Sequence, residues 1–518
     1  MASRLENSAR NVLVALCGQA FSIILAFVTR GIFARQLSLE YMGLENLFSN
    51  VLTILSLADL GVASAIIFAL YRPLAEENHE QVRAIMRLFR NVYVIIGLVI
   101  IAAGLVLTPY IDVLIKDTPD IPYLKLYFFM FVANTGISYF FSYKGCLIAA
   151  DQKKYIVSLN QYAFQIVMCI AQITVLFVTH NYFLFLCCMV GSTLLQNISI
   201  SIIANRMYPY ILKGKGKPKV DPETIDQIKK NTFAMVLHRV AGVANTPASS
   251  LILSSFVGIH GIALYGNYML VVNSMTRVVD QIFDAVVAPL GNLGVTESGE
   301  RQYQVFKTCF FVNAFIAAFI SIPMLCLFNP VITQIWLGPD YAFPEIVVVL
   351  IVLLFYLKEM RCAALSFTSA YGLYWYTRWK AVVETVVMLS LSLLLVLKFE
   401  VAGVVFAGII STTCVSSIYE GYMLFKHGFK KSSKPYFARF YLYVGFTAIL
   451  ALVAWFGCAA VPDSLGMAGI LVKLVVSVAV PVLGFWAVFR KTQEFAELKS
   501  MMMMRIFAKL PVLKRFAK

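Results

Sequence analysis

The chain has 518 residues, of which 60% are hydrophobic and 14% charged, and its mean hydropathy is +0.79. An ordinary soluble domain is about 45–50% apolar and about 25% charged, so a soluble multidomain fold, a disordered chain, a collagen and a small disulfide scaffold are all excluded. Forty-three Lys and Arg against 27 Asp and Glu leave a net charge of +16, which suggests nucleic acid in a soluble protein but in a membrane protein is a question of sidedness.

Residues 1–10 are polar. The apolar stretch that follows, Asn11 to Phe33, is too long for the core of a signal peptide and has no small-x-small cleavage site. It is expected to be the first spanning helix. Further spans of about 20 apolar residues are expected at 42–70, 91–115, 123–149, 155–178, 182–209, 231–257, 262–290, 304–328, 343–371, 376–397, 401–425, 437–461 and 467–489, fourteen in all. The runs are long and do not alternate with period two, which selects helices over a barrel. The expected fold class is an all-α integral membrane protein.

With residue 1 in the cytoplasm, one face collects Arg72, Arg83, Arg87, Arg90, Lys153, Lys154, the lysines of 213–219, Lys426, Lys430, Lys431, Lys434 and Arg439. The other face holds little beyond Arg35, Lys116 and Lys398. This asymmetry places both termini in the cytoplasm and accounts for most of the +16, so no nucleic-acid partner is expected. Trp336, Trp375, Trp379, Trp455 and Trp486 fall near helix ends, as in an aromatic belt.

The lysine-rich stretch at 213–219 divides the chain. A shift of 220 residues superposes Asn11 on Asn231, Pro119-Asp120 on Pro339-Asp340 and Ala150 on Ala370, with span boundaries in step. The expected organisation is a six-helix bundle (1–210), a basic linker (211–230), a second six-helix bundle (231–430), two additional helices (431–489) and a basic amphipathic tail on anionic lipid (490–518). Six is even, so the two bundles run parallel and are related by an axis along the membrane normal, a transporter plan.

An ionisable side chain at depth costs roughly 2.5–3.5 kcal/mol on insertion scales and usually lines a cavity. The candidates are Asp59, Arg239 beside His238, Arg277, Asp280, Asp284, Lys358, Glu359, Arg361, Glu384 and Glu420. Most fall between the midplane and the cytoplasmic surface, which suits a polar cavity open to that side. Arg277, Asp280 and Asp284 are spaced i, i+3 and i+7 and share one helix stripe. Arg239, Arg277, Lys358 and Arg361 suit an anionic head group, because arginine grips phosphate oxygens bidentately; structural ion pairs, Arg277 with Asp280 and Lys358 with Glu359, are the alternative. Asp59, Asp280, Asp284 and Glu384 are candidates for coupling to H⁺ or Na⁺, and for Asp59 a helix–helix hydrogen bond beside Gly61 is the alternative. The ten cysteines read as small apolar residues. The sequence has no Walker A loop, HExxH or GxSxG and no metal-spaced histidine cluster. Neither an enzyme nor a cofactor is expected.

Three segments carry a family resemblance: Arg35-Gln-Leu-Ser-Leu-Glu-Tyr-Met-Gly43, Ala58-Asp59-Leu60-Gly61-Val62-Ala63 and Trp336-Leu-Gly-Pro-Asp-Tyr341. Together with the fourteen-helix plan they resemble the Wzx-type polysaccharide flippases of the multidrug/oligosaccharidyl-lipid/polysaccharide (MOP) exporter superfamily, which also holds the MATE transporters. The resemblance implies a MATE-like fold in the bacterial inner membrane. It implies transfer of undecaprenyl-diphosphate-linked oligosaccharide repeat units to the external leaflet by alternating access with ion exchange, for O-antigen or exopolysaccharide synthesis. Membrane lipids, and polymerase and chain-length proteins of the same pathway, are the implied partners. A MATE-type drug/cation antiporter and a lipid-linked peptidoglycan precursor flippase are the alternatives.

Overall fold

The computed structural model describes residues 2–56, 62–115, 121–213, 220 and 248–500. Asp59, the Arg239–His238 pair, most of the 211–230 linker and the end of the tail lie outside them. Among the described residues every regular element is helical. Contacts divide the chain into two compact units, Met1–Gly266 and Asn267–Lys518.

The first unit contains α1 (Ala2–Gln36), α2 (Leu39–Leu55), α3 (Val62–Ala75), α4 (His79–Leu107), α5 (Leu124–Ala150), α6 (Lys154–Thr179) and α7 (Tyr182–Met207). Packing runs through the pairs α4–α5, α5–α7, α1–α6 and α6–α7. Lipid tails are as apolar as leucine, so helices in a bilayer gain specificity from packing and from polar contacts between them. The α6–α7 seam shows this: Asn160 Nδ2 donates to the Gln196 carbonyl at 3.1 Å, Ser199 Oγ donates to Asn160 Oδ1 at 2.7 Å, and Ser192 Oγ donates to the Phe164 carbonyl at 3.1 Å. Ser22 Oγ ties α1 to Gln165 of α6 at 2.9 Å.

Helix α8 (Ile259–Thr296) leads into the second unit. There follow α9 (Gly299–Val331), α10 (Glu345–Glu359), α11 (Cys362–Ala370), α12 (Tyr374–Ser411), α13 (Ile418–Met423), α14 (Lys434–Ala459) and α15 (Gly466–Phe489). Phe306, Phe310, Phe367, Phe425, Phe429, Tyr436 and Phe440 form a buried aromatic core among these helices. At one end of the unit, Arg301 meets Glu497 at 3.2 Å, Arg439 meets Glu494 at 2.6 Å and Lys431 pairs with Glu300. We call this the basic end.

Among the described residues nine helical segments are long and apolar enough to cross a membrane. One of them, Trp379–Phe429, has 51 residues and holds two of the expected spans. The chain folds back at Glu400, where φ is 50° and ψ −127°. The bend is sharp enough that a Cβ on Gly403 would lie 2.4 Å from the Leu395 carbonyl oxygen, so glycine is required there. The expected continuous span 343–371 is corrected: it breaks at Met360–Arg361 into α10 and α11. The protein is an all-α, multi-pass membrane protein.

Candidate functional site

The break between α10 and α11 organises the charges of the second unit. A broken helix leaves backbone groups unpaired, and at membrane depth these must be satisfied by other parts of the protein. Asn313 of α9, fully buried, donates from Nδ2 to the Met360 carbonyl at 2.9 Å. Arg361 occupies the break itself. Its guanidinium is bidentate on Glu420 of α13, Nε to Oε2 at 2.8 Å and NH2 to Oε1 at 2.6 Å, and lies 3.9 Å from Glu384 of α12. Lys380 of α12 bonds both acids, Glu384 at 2.9 Å and Glu420 at 2.6 Å. The quartet is therefore two cations and two anions, with all its formal charge balanced internally.

Close packing seals the quartet. A side chain on Gly421 would collide with the Tyr436 ring at 2.3 Å. Thr412–Ser417, just before α13, is wound as a π-helix, a rare local unwinding that is frequent at functional sites. Ser411 Oγ donates to the Glu384 carbonyl at 2.9 Å.

The stripe predicted on α8 differs from this quartet in environment. Arg277, Asp280 and Asp284 are all exposed. Lys358, in the last turn of α10, is exposed as well. Neither of the ion pairs considered from the sequence forms: among the described residues Arg277 and Lys358 have no salt bridge. Glu359 instead accepts from Thr276 Oγ1 at 2.7 Å and from the Cys362 thiol at 3.4 Å. Ligand atoms of Asp280, Glu359 and Cys362 all lie within 4.8 Å of one another. Two carboxylates so close repel unless a proton or cation sits between them.

Sequence reasoning passed over three charges. Lys144 of α5 is buried in the first unit; its ammonium donates to Ser201 Oγ of α7 at 2.6 Å and has no acidic partner among the described residues. Arg90 of α4 is close enough to act on it electrostatically. Lys380, at the start of the expected span 376–397 and counted with Arg378 as a cytoplasmic-face charge, belongs to the quartet. Lys473 is buried in α15. Lys144 and Lys473 are each one charge inside an apolar run, which a scan for isolated intramembrane charges would have found. At the basic end, Lys426, Lys430, Lys431 and Lys434 surround a cavity of about 560 Å³.

Comparisons with known proteins agree on the fold. The chain resembles the solved structure "Lipid II flippase MurJ, inward closed conformation", with a TM-score of 0.66 and 13% identity over 92% of this chain and 99% of that one. It also resembles an inward-facing "multidrug resistance MATE family transporter of the MOP superfamily", with a TM-score of 0.61 and 12% identity over 80% and 98% of the two chains. The outward-facing form of such a transporter matches with a TM-score of 0.55, at 13% identity over 82% and 96%. A search of curated protein sequences returns no match. A family model described as "Polysaccharide biosynthesis protein" matches residues 8–290, more than half of the chain. The protein belongs to that family, the Wzx-type flippases, and has the fold of the MOP superfamily.

Proposed function

We propose that the protein carries undecaprenyl-diphosphate-linked oligosaccharide repeat units from the cytoplasmic to the external leaflet of the bacterial inner membrane, with both of its termini cytoplasmic. Its product would feed the polymerase and chain-length proteins that build a surface polysaccharide such as O-antigen or exopolysaccharide. The observation that carries this reading is the state of Arg277 and Lys358. Both are cations in a polysaccharide-family membrane protein, and neither is neutralised by an ion pair among the described residues, so their charge is available to a diphosphate. Arg239 is assigned the same role from the sequence. Arg361 serves the site indirectly, since its quartet holds the break that ends the helix bearing Lys358.

Coupling to H⁺ or Na⁺ is assigned first to Asp280, whose carboxylate neighbours Glu359, with Asp284 one turn on. Asp59 remains a coupling candidate in the first unit. Glu384 is a weaker one, because Lys380 and Arg361 already neutralise it.

The test uses full-length protein in proteoliposomes with a fluorescent lipid-linked oligosaccharide and an imposed ion gradient. Arg277→Ala and Lys358→Ala should each lower transfer at least tenfold with normal membrane insertion. Asp280→Asn should keep substrate binding and lose its response to the gradient. Full transfer in both cation variants overturns the diphosphate assignment. Transport of an organic cation with no response to the oligosaccharide lipid replaces the flippase reading with a drug exporter.

A further inference from the structure

The cavity of about 560 Å³ at the basic end lies wholly within the second unit. It is lined by Tyr422, Ser432, Ser433 and the lysines at 426, 430, 431 and 434. No carboxylate or carboxamide belongs to that lining. A smaller cavity of about 230 Å³, at the opposite end of the same unit, includes Glu345, Trp455 and Lys473 and so carries both signs of charge. Only the larger of these two is purely cationic.

The backbone is shaped to present its lysines. Leu424–Phe429 is wound as a π-helix and closes on Lys430, whose φ of 53° and ψ of 39° are left-handed. Across this turn the Lys431 N–H donates to the Phe425 carbonyl at 3.0 Å. Helices commonly close in this way on glycine, which avoids the steric penalty that a Cβ brings. A lysine there keeps a cation at the rim at the expense of backbone comfort. Lys431 is already committed: it pairs with Glu300, and its ammonium lies 4.6 Å from the centre of the Tyr303 ring. Lys426 lies 5.4 Å from the centre of the Tyr422 ring. Among the described residues Lys426, Lys430 and Lys434 have no acidic partner. Ser433 precedes α14 without making a side-chain capping bond, and Ser432 Oγ accepts from the Lys434 amide at 3.4 Å, so both hydroxyls keep a hydrogen to donate. Lys434 is also the first residue of the 26-residue α14, whose positive end adds to the field.

Two of the lining residues sit on exposed helix faces. Tyr422 is one turn after Ile418 on α13, and Lys434 is two turns before Tyr441 on α14; all four are exposed. Residues so spaced share a face, so each helix carries an exposed stripe from the cavity itself to an apolar side chain farther from the basic end.

We propose that this cavity binds the phosphate of an anionic glycerophospholipid. Lys426, Lys430 and Lys434 would surround the phosphate, the two serine hydroxyls would donate to it, and the acyl chains would leave along the Tyr422 and Tyr441 faces. Ammonium groups are donors with no acceptor. Sugar hydroxyls need acceptors as well, so this lining suits a phosphate better than an oligosaccharide. The exposed stripes on both helices favour a phosphate that is carried on a lipid over a soluble one. Basic clusters at a membrane surface attract anionic lipid in this way. The site is independent of what the protein transports.

The test is native mass spectrometry of the full-length protein after mild delipidation in equal amounts of phosphatidylglycerol, phosphatidylethanolamine and phosphatidylcholine. Wild-type protein should retain phosphatidylglycerol several-fold above the two zwitterionic lipids. The triple variant Lys426→Gln/Lys430→Gln/Lys434→Gln should lower that retention by on the order of tenfold or more. A control that removes three exposed lysines elsewhere, Lys154→Gln/Lys491→Gln/Lys499→Gln, should keep it. Lys430→Gly should unfold at or above the wild-type temperature and yet retain less phosphatidylglycerol, a combination that a purely structural lysine would not give. Equal retention of the three lipids by wild type, an equal loss in the control triple, or wild-type retention in Lys430→Gly would each overturn the proposal. Displacement of the lipid by inorganic diphosphate would replace it with a soluble-anion site, and displacement by a polyprenyl diphosphate would replace it with a site for cargo. Wild-type protein that shows this selectivity but fails to transfer oligosaccharide would count against the flippase reading alone.

Discussion

Arg361 and Glu420 illustrate how a buried charge is tolerated here. Two hydrogen bonds join them, and Lys380 and Glu384 complete a neutral set. Burying ions is costly, and the cost is met only when every charge has partners. Removing one partner leaves the other uncompensated. Arg361→Met should therefore destabilise the folded protein by about 3–5 kcal/mol, read from thermal unfolding in detergent. The double variant Arg361→Met/Glu420→Gln removes one charge of each sign and should recover most of that loss. A double variant as unstable as the single one would show that charge balance is not what holds the break. Three members of the quartet were visible in the sequence as deep charges. Lys380 was not, because beside Arg378 at the start of the expected span 376–397 it counts as one of the charges of the cytoplasmic face. Its i,i+4 relation to Glu384 was the available clue.

Elements were legible wherever a long apolar run ends in charge or glycine. The span expected at 437–461 is α14, Lys434–Ala459, and that at 467–489 is α15, Gly466–Phe489. The break between α10 and α11 was not legible. Its sequence, Tyr356-Leu-Lys-Glu-Met-Arg361, contains neither proline nor glycine, and the interruption is held by Asn313 and Glu420, which arrive from elsewhere in the chain. The segment after α15 has a comparable tertiary anchor. Residues 493–500 are helical, and Glu494 and Glu497 clasp Arg439 and Arg301. Burial pushes the Glu494 carboxyl up, but a backbone hydrogen bond and the Arg439 side chain outweigh it and hold it below its ordinary value of 4.5. A depressed carboxyl stabilises the fold above its unfolded value and loses that contribution as pH falls through its folded value. Hydrogen exchange should accordingly show 493–500 protected from neutral pH down to about 4.5 and progressively released below it. Glu494→Gln should weaken protection at neutral pH and flatten the step. A pH-independent profile in the wild type would refute the clasp.

For the whole molecule, the excess of basic residues is an orientation signal, and it makes a prediction that local contacts do not. Arg301, Lys431 and Arg439 gather at one end of the second unit, while the cavity with Lys473 and Trp455 lies at the other. If the basic end is cytoplasmic, as the loop asymmetry predicts, two exposed serines belong to opposite compartments: Ser432 next to Lys431, and Ser464 in the turn between α14 and α15. The ten native cysteines would first be replaced, and then Ser432→Cys and Ser464→Cys introduced singly. In intact cells a membrane-impermeant maleimide should label the second variant and not the first. After permeabilisation it should label both. The described helices tie this result to the segment after α15, since α14 runs away from the basic end and α15 returns to it. Labelling of Ser432→Cys from outside would invert the molecule. It would place the cavity beside Lys473 in the cytoplasmic leaflet and reverse the direction of transfer that the cations at Arg277 and Lys358 were proposed to serve.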